Sequence, residues 1–198
     1  MKIEVENISK RFGRQAIIKQ FSYTFLPNKK YVITGANGSG KSTLLKMISG
    51  FLSFESGDIR YTKENEPISR ENINTYISFA APYIFIPEDL TILEAIAFQK
   101  KFKAFSKSDA EIIAELNLVP NKKITELSSG MKQRLHLGLA FFTNTPVLLL
   151  DEPTSFFDKE WKLKFQDWVM EQQDKRMIIL CSNDEEEYVQ FPQRLRIT

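Results

Sequence analysis

One segment of the chain combines glycines, a lysine and a hydroxyl side chain at the spacing that phosphate binding requires. Gly35 to Ser42 reads GANGSGKS and matches G-x-x-x-x-G-K-[S/T] without a mismatch. The glycines let backbone N–H groups converge on phosphate oxygens, and a helix that starts there adds partial positive charge. Lys41 brings a full charge toward the β- and γ-phosphates, and the Ser42 hydroxyl is suited to ligate Mg²⁺. The segment predicts a phosphate loop, with a glycine-rich turn of no chemical consequence as the alternative.

Two adjacent acids provide a second candidate group. Asp151 and Glu152 directly follow the continuous apolar run Val147–Leu150. An acid at the end of a second buried strand lies beside the metal in phosphate-loop folds, so Asp151 is expected to hold Mg²⁺ through water. Glu152 is then placed to polarise the attacking water as a general base. The alternative is a pair of solvated acids at a strand end.

A third segment, Leu127–Arg134, places serine and glycine at the predicted start of a helix. Ser128 and Gly130 open a run whose apolar positions recur at helical spacing. The N–H groups at such a start can bind an anion in the same way as the phosphate loop. Taken alone, the segment is better explained as an ordinary helix cap.

The surrounding pattern predicts the elements that position these groups. The apolar run Tyr31–Thr34 predicts a strand before the glycine loop, and Lys41–Ile48 predicts the helix after it. Apolar runs at Val147–Leu150 and Met177–Leu180 are typical of strands that are covered on both faces. Strands that alternate with helices indicate an α/β core.

The middle of the chain predicts a helical lobe at about residues 83–140. Thr91–Glu94 and Ser108–Glu111 both match the capping box S/T-x-x-E before an apolar-periodic run. Before this lobe, period-two patterns at residues 3–6 and 21–25 predict strands, and a polar loop is expected through Glu64–Pro67.

Composition bounds the remaining possibilities. The chain has 198 residues, a formal charge of +2 and a single cysteine, Cys181. The length is that of one domain, the near-neutral charge provides no field for binding DNA or an anionic membrane, and one cysteine forms no internal disulfide. Neither a secretory signal nor a run of apolar residues long enough to span a bilayer is expected. The composition favours a reduced, cytoplasmic setting.

The three segments, in this order, resemble the ATPase subunit of an ATP-binding-cassette (ABC) transporter, and the resemblance covers nearly the whole chain. Leu127–Met131 resembles the family signature LSGGQ, with Ser129 and Met131 as departures. Pro153–Asp158 is similar to the segment after the catalytic glutamate, in which Asp158 matches the family aspartate.

Lys10–Gly13 resembles the adenine-stacking loop of this family, with Phe12 as the aromatic residue. Stacking of a base on an aromatic side chain is worth about 1–3 kcal/mol. A place in the hydrophobic core is the alternative for Phe12, since the chain has 16 phenylalanines.

The resemblance implies a single ABC ATPase domain over residues 1–198. Its expected fold is an α/β, RecA-like P-loop NTPase with a mixed-sheet core, an N-terminal antiparallel β subdomain and an inserted α-helical subdomain. The β subdomain and core are expected at about 1–82 and 141–198, and the helical subdomain, which ends in the signature helix, at about 83–140.

The resemblance also implies hydrolysis of ATP with Mg²⁺ in a head-to-tail dimer, either of two copies or with another cassette. Integral membrane permease subunits are the expected partners at the inner face of the cell membrane, with no nucleic acid. The implied nucleotide-binding residues are Phe12, Gly35, Asn37, Gly38, Ser39, Gly40, Lys41, Ser42, Thr43, Ser128, Gly130 and Asp158. The implied metal ligands are Ser42 and Asp151, and the implied catalytic residues are Lys41, Glu152 and Asn183.

Two departures from the family pattern fall on catalytic positions. Pro82 stands where the family has a glutamine that touches the metal and the attacking water, and Asn183 replaces a histidine that contacts the γ-phosphate. The only histidine, His136, lies in the signature helix and is expected to be an ordinary, partly buried side chain. An asparagine amide donates a hydrogen bond to phosphate but carries no imidazolium charge. The departures predict slow hydrolysis, and the alternative is a cassette that clamps ATP beside a more active partner.

Overall fold

The protein is described here by a computed structural model that covers residues 1–172 and 174–197. Its strands are Lys2–Phe12 (β1), Gln15–Phe25 (β2), Lys30–Thr34 (β3), Ser56–Lys63 (β4), Glu66–Ile68 (β5), Ile77–Ala80 (β6), Val147–Asp151 (β7), Met177–Cys181 (β8) and Gln193–Arg196 (β9). Its α-helices are Lys41–Ile48 (α1), Ile92–Lys100 (α2), Asp109–Leu116 (α3), Ser129–Phe141 (α4), Lys159–Glu171 (α5) and Glu185–Tyr188 (α6).

The strands form two separate sheets. One sheet has the order β2-β1-β4-β5 and is antiparallel, and the other has the order β6-β7-β8-β3-β9 and is parallel throughout. The antiparallel pairs therefore lie outside the core sheet. In the parallel sheet Asp151 of β7 pairs with Cys181 of β8. Strand β8 also pairs with β3, the strand that enters the glycine loop. The carboxyl ends of these neighbouring strands consequently meet at one edge, where ligands bind in open α/β sheets.

The parallel sheet is covered on both faces, which explains its continuous apolar strands. Successive side chains of a strand point to opposite faces. Leu148 and Leu150 accordingly pack in the core cluster that contains α2, α3, α4 and α5. Leu149 and Ile179 pack in the cluster that contains α1 and the antiparallel sheet. The two cores thus fix which end and which face of each strand is available to a site.

The phosphate-loop segment turns directly from β3 into α1. Gly38 and Gly40 have φ angles of +82° and +101°, a left-handed conformation that side chains rarely adopt. A Cβ at Gly40 would lie 2.8 Å from atoms of Ile17 and of Ile18. The turn therefore requires glycine at this position for both conformational and steric reasons.

The capping boxes expected between β6 and β7 are confirmed. Thr91 accepts a hydrogen bond from the Glu94 N–H at 3.2 Å, while Glu94 accepts one from the Thr91 N–H at 2.8 Å. Ser108 and Glu111 form the same reciprocal pair at the start of α3. The boundaries of a helical subdomain at residues 83 and 140 stay a prediction.

The polar loop expected through residues 64–67 was wrong at its end. Glu66–Ile68 forms the edge strand β5, in which Ile68 pairs with Tyr61 and Glu66 with Lys63. Pro67 is compatible with this strand because an edge strand leaves one row of N–H groups without a ladder partner. In the part of the chain that the structure describes, no helix is both long and apolar enough to cross a membrane.

Candidate active site

The residues expected to do chemistry lie at the carboxyl edge of the parallel sheet. The glycine loop follows β3, the acids close β7, and Ser182–Asn183 follows β8. Because β8 lies between β7 and β3, the Cys181 thiol is close to both sides of this edge. Burial raises the pKa of Cys181 well above its usual value, the Asp151 carboxylate raises it further, and the Lys41 ammonium opposes both. Cys181 is buried and packs between the acid strand β7 and the strand β3 that enters the glycine loop.

A cavity of about 330 Å³ lies against the glycine loop. It is lined by Phe12, Ile17, Asn37, Gly38, Gly40, Lys41, Ser42, Thr43 and Glu152. Phe12 is 53% exposed, so it does not belong to the hydrophobic core. Ile17, on the neighbouring strand β2, is a lining residue that the sequence motifs did not predict. The cavity thus joins an aromatic side chain, a phosphate loop and a carboxylate.

Lys41 is buried at the base of this cavity, with 6% of its surface exposed. Its ammonium donates hydrogen bonds to the carbonyl oxygens of Gly35 at 2.7 Å and Ala36 at 3.3 Å. These contacts hold the charge within the loop, where the N–H groups of the first turn of α1 also converge. Lys41 forms no ion pair with another described residue, so its charge is available to a polyphosphate.

Asp151 is 2% exposed, and its two oxygens have different surroundings. Oδ2 accepts a hydrogen bond from the Tyr83 hydroxyl at 2.8 Å. Oδ1 is buried and has no hydrogen-bond partner among the described residues. Burial raises the pKa of Tyr83, and the neighbouring Asp151 charge raises it further, so this phenol remains a donor at ordinary pH. Tyr83 is a second residue that the sequence motifs did not reveal.

The unpartnered Oδ1 of Asp151 fits a site for Mg²⁺. The described residues contain no group of three or more His, Cys, Asp or Glu side chains that could hold a metal ion on their own. Magnesium is commonly held by one or two protein oxygens together with substrate phosphates. Ser42, in the first turn of α1, and Asp151 are the residues that would hold it here.

The Glu152 side chain lines the same cavity, and Glu152 directly follows strand β7. Its backbone lies at φ +46°, an uncommon angle for a residue other than glycine, and its N–H donates to the Cys181 carbonyl at 2.9 Å. Strained positions of this kind persist where the surrounding structure imposes them, as at the edge of this sheet. Glu152 is thereby turned away from the strand direction and toward the glycine loop.

Asn183 contacts the glycine loop directly. Its Oδ1 accepts a hydrogen bond from the Gly35 N–H at 3.3 Å, and its Nδ2 donates to Asn37 Oδ1 at 3.2 Å. Pro82 lies in the turn after β6, where the Ile84 N–H donates to the Ala81 carbonyl at 3.1 Å. The structure thus brings Asn183 to the loop, while Pro82 itself offers no polar group to the site.

The signature residues lie in another part of the chain's surface. Ser128 caps α4 by accepting from the Met131 N–H at 3.3 Å, and Asp158 caps α5 by accepting from the Trp161 N–H at 2.9 Å. A Cβ at Gly130 would lie 3.2 Å from the Phe156 carbonyl oxygen. Of the described residues, these three are not among those that line the cavity at the glycine loop. His136, on α4, is partly buried, and burial lowers its pKa, as expected for an ordinary side chain.

A family model described as "ABC transporter" matches residues 18–155 of the chain. The chain belongs to the ABC transporter family. It is 30% identical over 205 residues to the spermidine/putrescine import ATP-binding protein of Mycoplasma mycoides, a match that covers 98% of this chain and 57% of that protein. It is 32% identical over 199 residues to an uncharacterized ABC transporter ATP-binding protein of Bacillus subtilis, covering 94% and 88% of the two chains.

The fold is likewise that of ABC cassettes. A dimeric ATP-binding cassette solved in a post-hydrolysis state with ADP and Pi superposes with a TM-score of 0.85 at 19% identity, covering 99% of this chain and 94% of that one. This likeness confirms the P-loop NTPase fold class that the sequence predicted. The chain spans 57% of the length of the import ATP-binding protein of Mycoplasma mycoides. Membership of the family therefore does not assign the complete activity of that protein to this chain.

Proposed function

We propose that this chain binds MgATP and hydrolyses it as the ATP-binding subunit of an ABC transporter. The observation that carries the proposal is the cavity that joins Phe12, the glycine loop and Glu152 at the carboxyl edge of the parallel sheet. Phe12 is suited to stack on the adenine, and Lys41 with the N–H groups of α1 is suited to hold the phosphates. Glu152 is placed to accept a proton from the attacking water.

Asp151 and Ser42 hold Mg²⁺ in this proposal. The ion supplies charge neutralisation on the phosphate oxygens. The chain itself contributes the orientation of Asp151, which is fixed by burial and by the Tyr83 hydroxyl. The remaining predicted nucleotide residues of the loop, Gly35, Asn37, Ser39 and Thr43, act through backbone N–H groups and short polar side chains.

A second cassette completes the site in this proposal. Ser128, Gly130 and Asp158 lie outside the cavity of their own chain, so they are available to the ATP held by a partner. The solved cassette with ADP and Pi is a dimer, which is consistent with this arrangement. An ATP shared across the interface favours the closed dimer through its higher affinity for that state, and hydrolysis removes the preference. Membrane permease subunits at the inner face of the cell membrane would receive the motion.

Slow hydrolysis is part of the proposal. Asn183 reaches the glycine loop with a neutral amide where the family has histidine, and Pro82 offers no polar side chain. A neutral donor stabilises developing phosphate charge less than a cation does. The second candidate function, favoured by the same two residues, is an ATP clamp that hydrolyses little beside a more active cassette.

Two variants test the proposal. Lys41→Ala removes the buried ammonium, and we expect ATP affinity to fall by about tenfold or more, as for the loss of a charge-assisted hydrogen bond. Lys29→Ala, at an exposed side chain before β3 and outside the lining of the cavity, is the charge-matched comparison and is expected to retain wild-type affinity. Unchanged ATP binding in Lys41→Ala would refute the nucleotide site.

Turnover separates hydrolysis from clamping. Glu152→Gln removes the proposed general base without changing its size, so we expect ATP turnover to fall by about 100-fold or more while ATP binding persists. If wild-type turnover already equals that of Glu152→Gln, the clamp is the function and the hydrolase is not.

A further inference from the structure

Tyr83 links three elements of the site by side-chain contacts. Its hydroxyl donates to Asp151 Oδ2 at the end of β7, and its ring lies 3.6 Å from the Lys46 ammonium of α1, measured to the ring centroid. The residue itself belongs to the connection between β6 and α2. One side chain from this connection therefore contacts both the acid strand β7 and helix α1.

The backbone around Tyr83 is shaped to present it. Ala81–Ile84 forms a turn closed by the hydrogen bond from the Ile84 N–H to the Ala81 carbonyl at 3.1 Å. Pro82 occupies the second position of this turn, where its fixed φ angle pre-organises the chain, and Tyr83 occupies the third. Pro82, which has no polar side chain, thus helps to position the Tyr83 hydroxyl.

The two oxygens of Asp151 are consequently distinguished. The Asp151 carboxylate is 2% exposed and accepts the phenol hydrogen bond at Oδ2, whereas Oδ1 has no hydrogen-bond partner among the described residues. Fixed orientation of a ligand by an outer hydrogen bond commonly sets metal affinity, because the ligand then loses less freedom on binding. The Lys46 contact adds a second restraint on the same ring, since a cation over an aromatic face is attracted to it.

We propose that Tyr83 is a positioning residue for the metal ligand Asp151, with its phenol holding Oδ2 so that Oδ1 is presented to Mg²⁺. The inference rests on the proposed MgATP site and assigns a role to a residue outside its motifs. Through the Tyr83 hydroxyl, the connection between β6 and α2 also contacts the site. Glu88 in that connection forms an ion pair with Lys132 of α4 at 2.6 Å.

The test is the metal dependence of nucleotide affinity in Tyr83→Phe. This variant keeps the ring against Lys46 and removes only the hydroxyl. Titration calorimetry of the full chain with ATP, once with Mg²⁺ and once with EDTA, gives the ratio of the two dissociation constants. We expect Tyr83→Phe to lower the enhancement by Mg²⁺ about tenfold, the effect of losing one hydrogen bond to a charged group, with affinity in EDTA unchanged.

Tyr76→Phe is the matched control, because it removes a phenol at the opposite end of β6 and should leave the ratio unchanged. In an Asp151→Asn background, Tyr83→Phe should cause no further change, since its effect acts through Asp151. A Tyr83→Phe ratio equal to wild type, or a stronger enhancement by Mg²⁺, overturns the inference while the nucleotide site stands. A wild-type chain that binds no ATP overturns both.

Discussion

At the scale of single residues, Asn183, which replaces the family histidine, contacts the glycine loop. The side chain bridges the Gly35 N–H and the Asn37 side chain, with both distances above 3 Å. Such contacts leave the amide free to exchange a loop partner for a phosphate oxygen at little cost. The same amide carries no charge, so in the proposed function it would contribute less than imidazolium to the stabilisation of the leaving phosphate.

Substitution of Asn183 in both directions is the test. Asn183→Ala should lower ATP turnover about fivefold, the effect of losing one neutral hydrogen bond. Asn183→His should raise turnover above wild type because it supplies an imidazole at the same position. Steady-state ATPase assays with ATP affinity measured in parallel give the comparison. Equal turnover in wild type and Asn183→Ala would remove Asn183 from the mechanism.

At the scale of elements, a buried carboxylate joins the segment after the acids to helix α6. Glu187 of α6 accepts hydrogen bonds from the Thr154 N–H at 3.1 Å and from the Thr154 hydroxyl. Gln133 of α4 donates to the Pro153 carbonyl at 2.8 Å in the same segment. Residues 153–158 are therefore held between the signature helix and the region after β8. The segment is anchored at its start, while its last residue caps α5.

Burial raises the pKa of Glu187, although hydrogen bonds from its neighbours oppose the shift. A folded-state pKa above the unfolded value means that its contribution to stability is complete at acid pH and is lost as pH rises through the folded pKa. Glu187→Gln lacks this titration and can still accept from the Thr154 N–H. We therefore expect the variant to gain stability relative to wild type as pH rises from about 4 to 7.

Urea unfolding at several pH values measures this difference. Glu160→Gln makes the same change at an exposed side chain of α5 and is the matched control. Parallel stability curves for wild type and Glu187→Gln would contradict the assignment of Glu187 as a buried, titrating link.

At the scale of the whole molecule, the two segments that we propose to share one ATP lie apart in a single chain. The glycine loop lines one cavity, while Ser128–Gly130 begins a helix elsewhere on the surface. A head-to-tail pair of chains would join the loop of each copy to the helix start of the other. Such a closed pair is isologous, so both composite sites form together.

Mixing two defective variants tests this geometry. Lys41→Ala disables the loop, and Ser129→Glu places a negative charge that repels phosphate at the start of α4. An acid in the first turn of a helix stabilises that helix, so loss of function in Ser129→Glu is not explained by unfolding. Each variant alone should fail to dimerise with ATP, whereas the mixture contains one intact composite site per mixed dimer and should regain dimerisation and turnover.

Light scattering and ATPase assays on the separate and mixed variants provide the measurements. Recovery only in the mixture supports the shared site. If Ser129→Glu alone hydrolyses ATP like wild type, each chain completes its own site and the head-to-tail model fails. If wild type does not dimerise with ATP, two copies of this chain do not form the pair, and a different cassette is required.

Much of the architecture follows from local sequence. The capping boxes at Thr91 and Ser108 mark where α2 and α3 begin, because each pair satisfies N–H groups within one turn. The apolar runs predict β7 and β8 for the same kind of reason, since strands buried on both faces need apolar side chains at every position. The edge strand β5 was not predicted because its formation depends on pairing with β4 rather than on its own three residues.

The sequence by itself determined the phosphate loop, the acid pair and the helix starts, since each is specified by residues a few positions apart. Only the tertiary structure decided that Tyr83 holds Asp151, that Asn183 lies against Gly35 and that Ile17 lines the cavity. The first two contacts join residues 68 and 148 positions apart. Contacts of that separation arise from the strand order of the sheet, which places the ends of distant segments side by side.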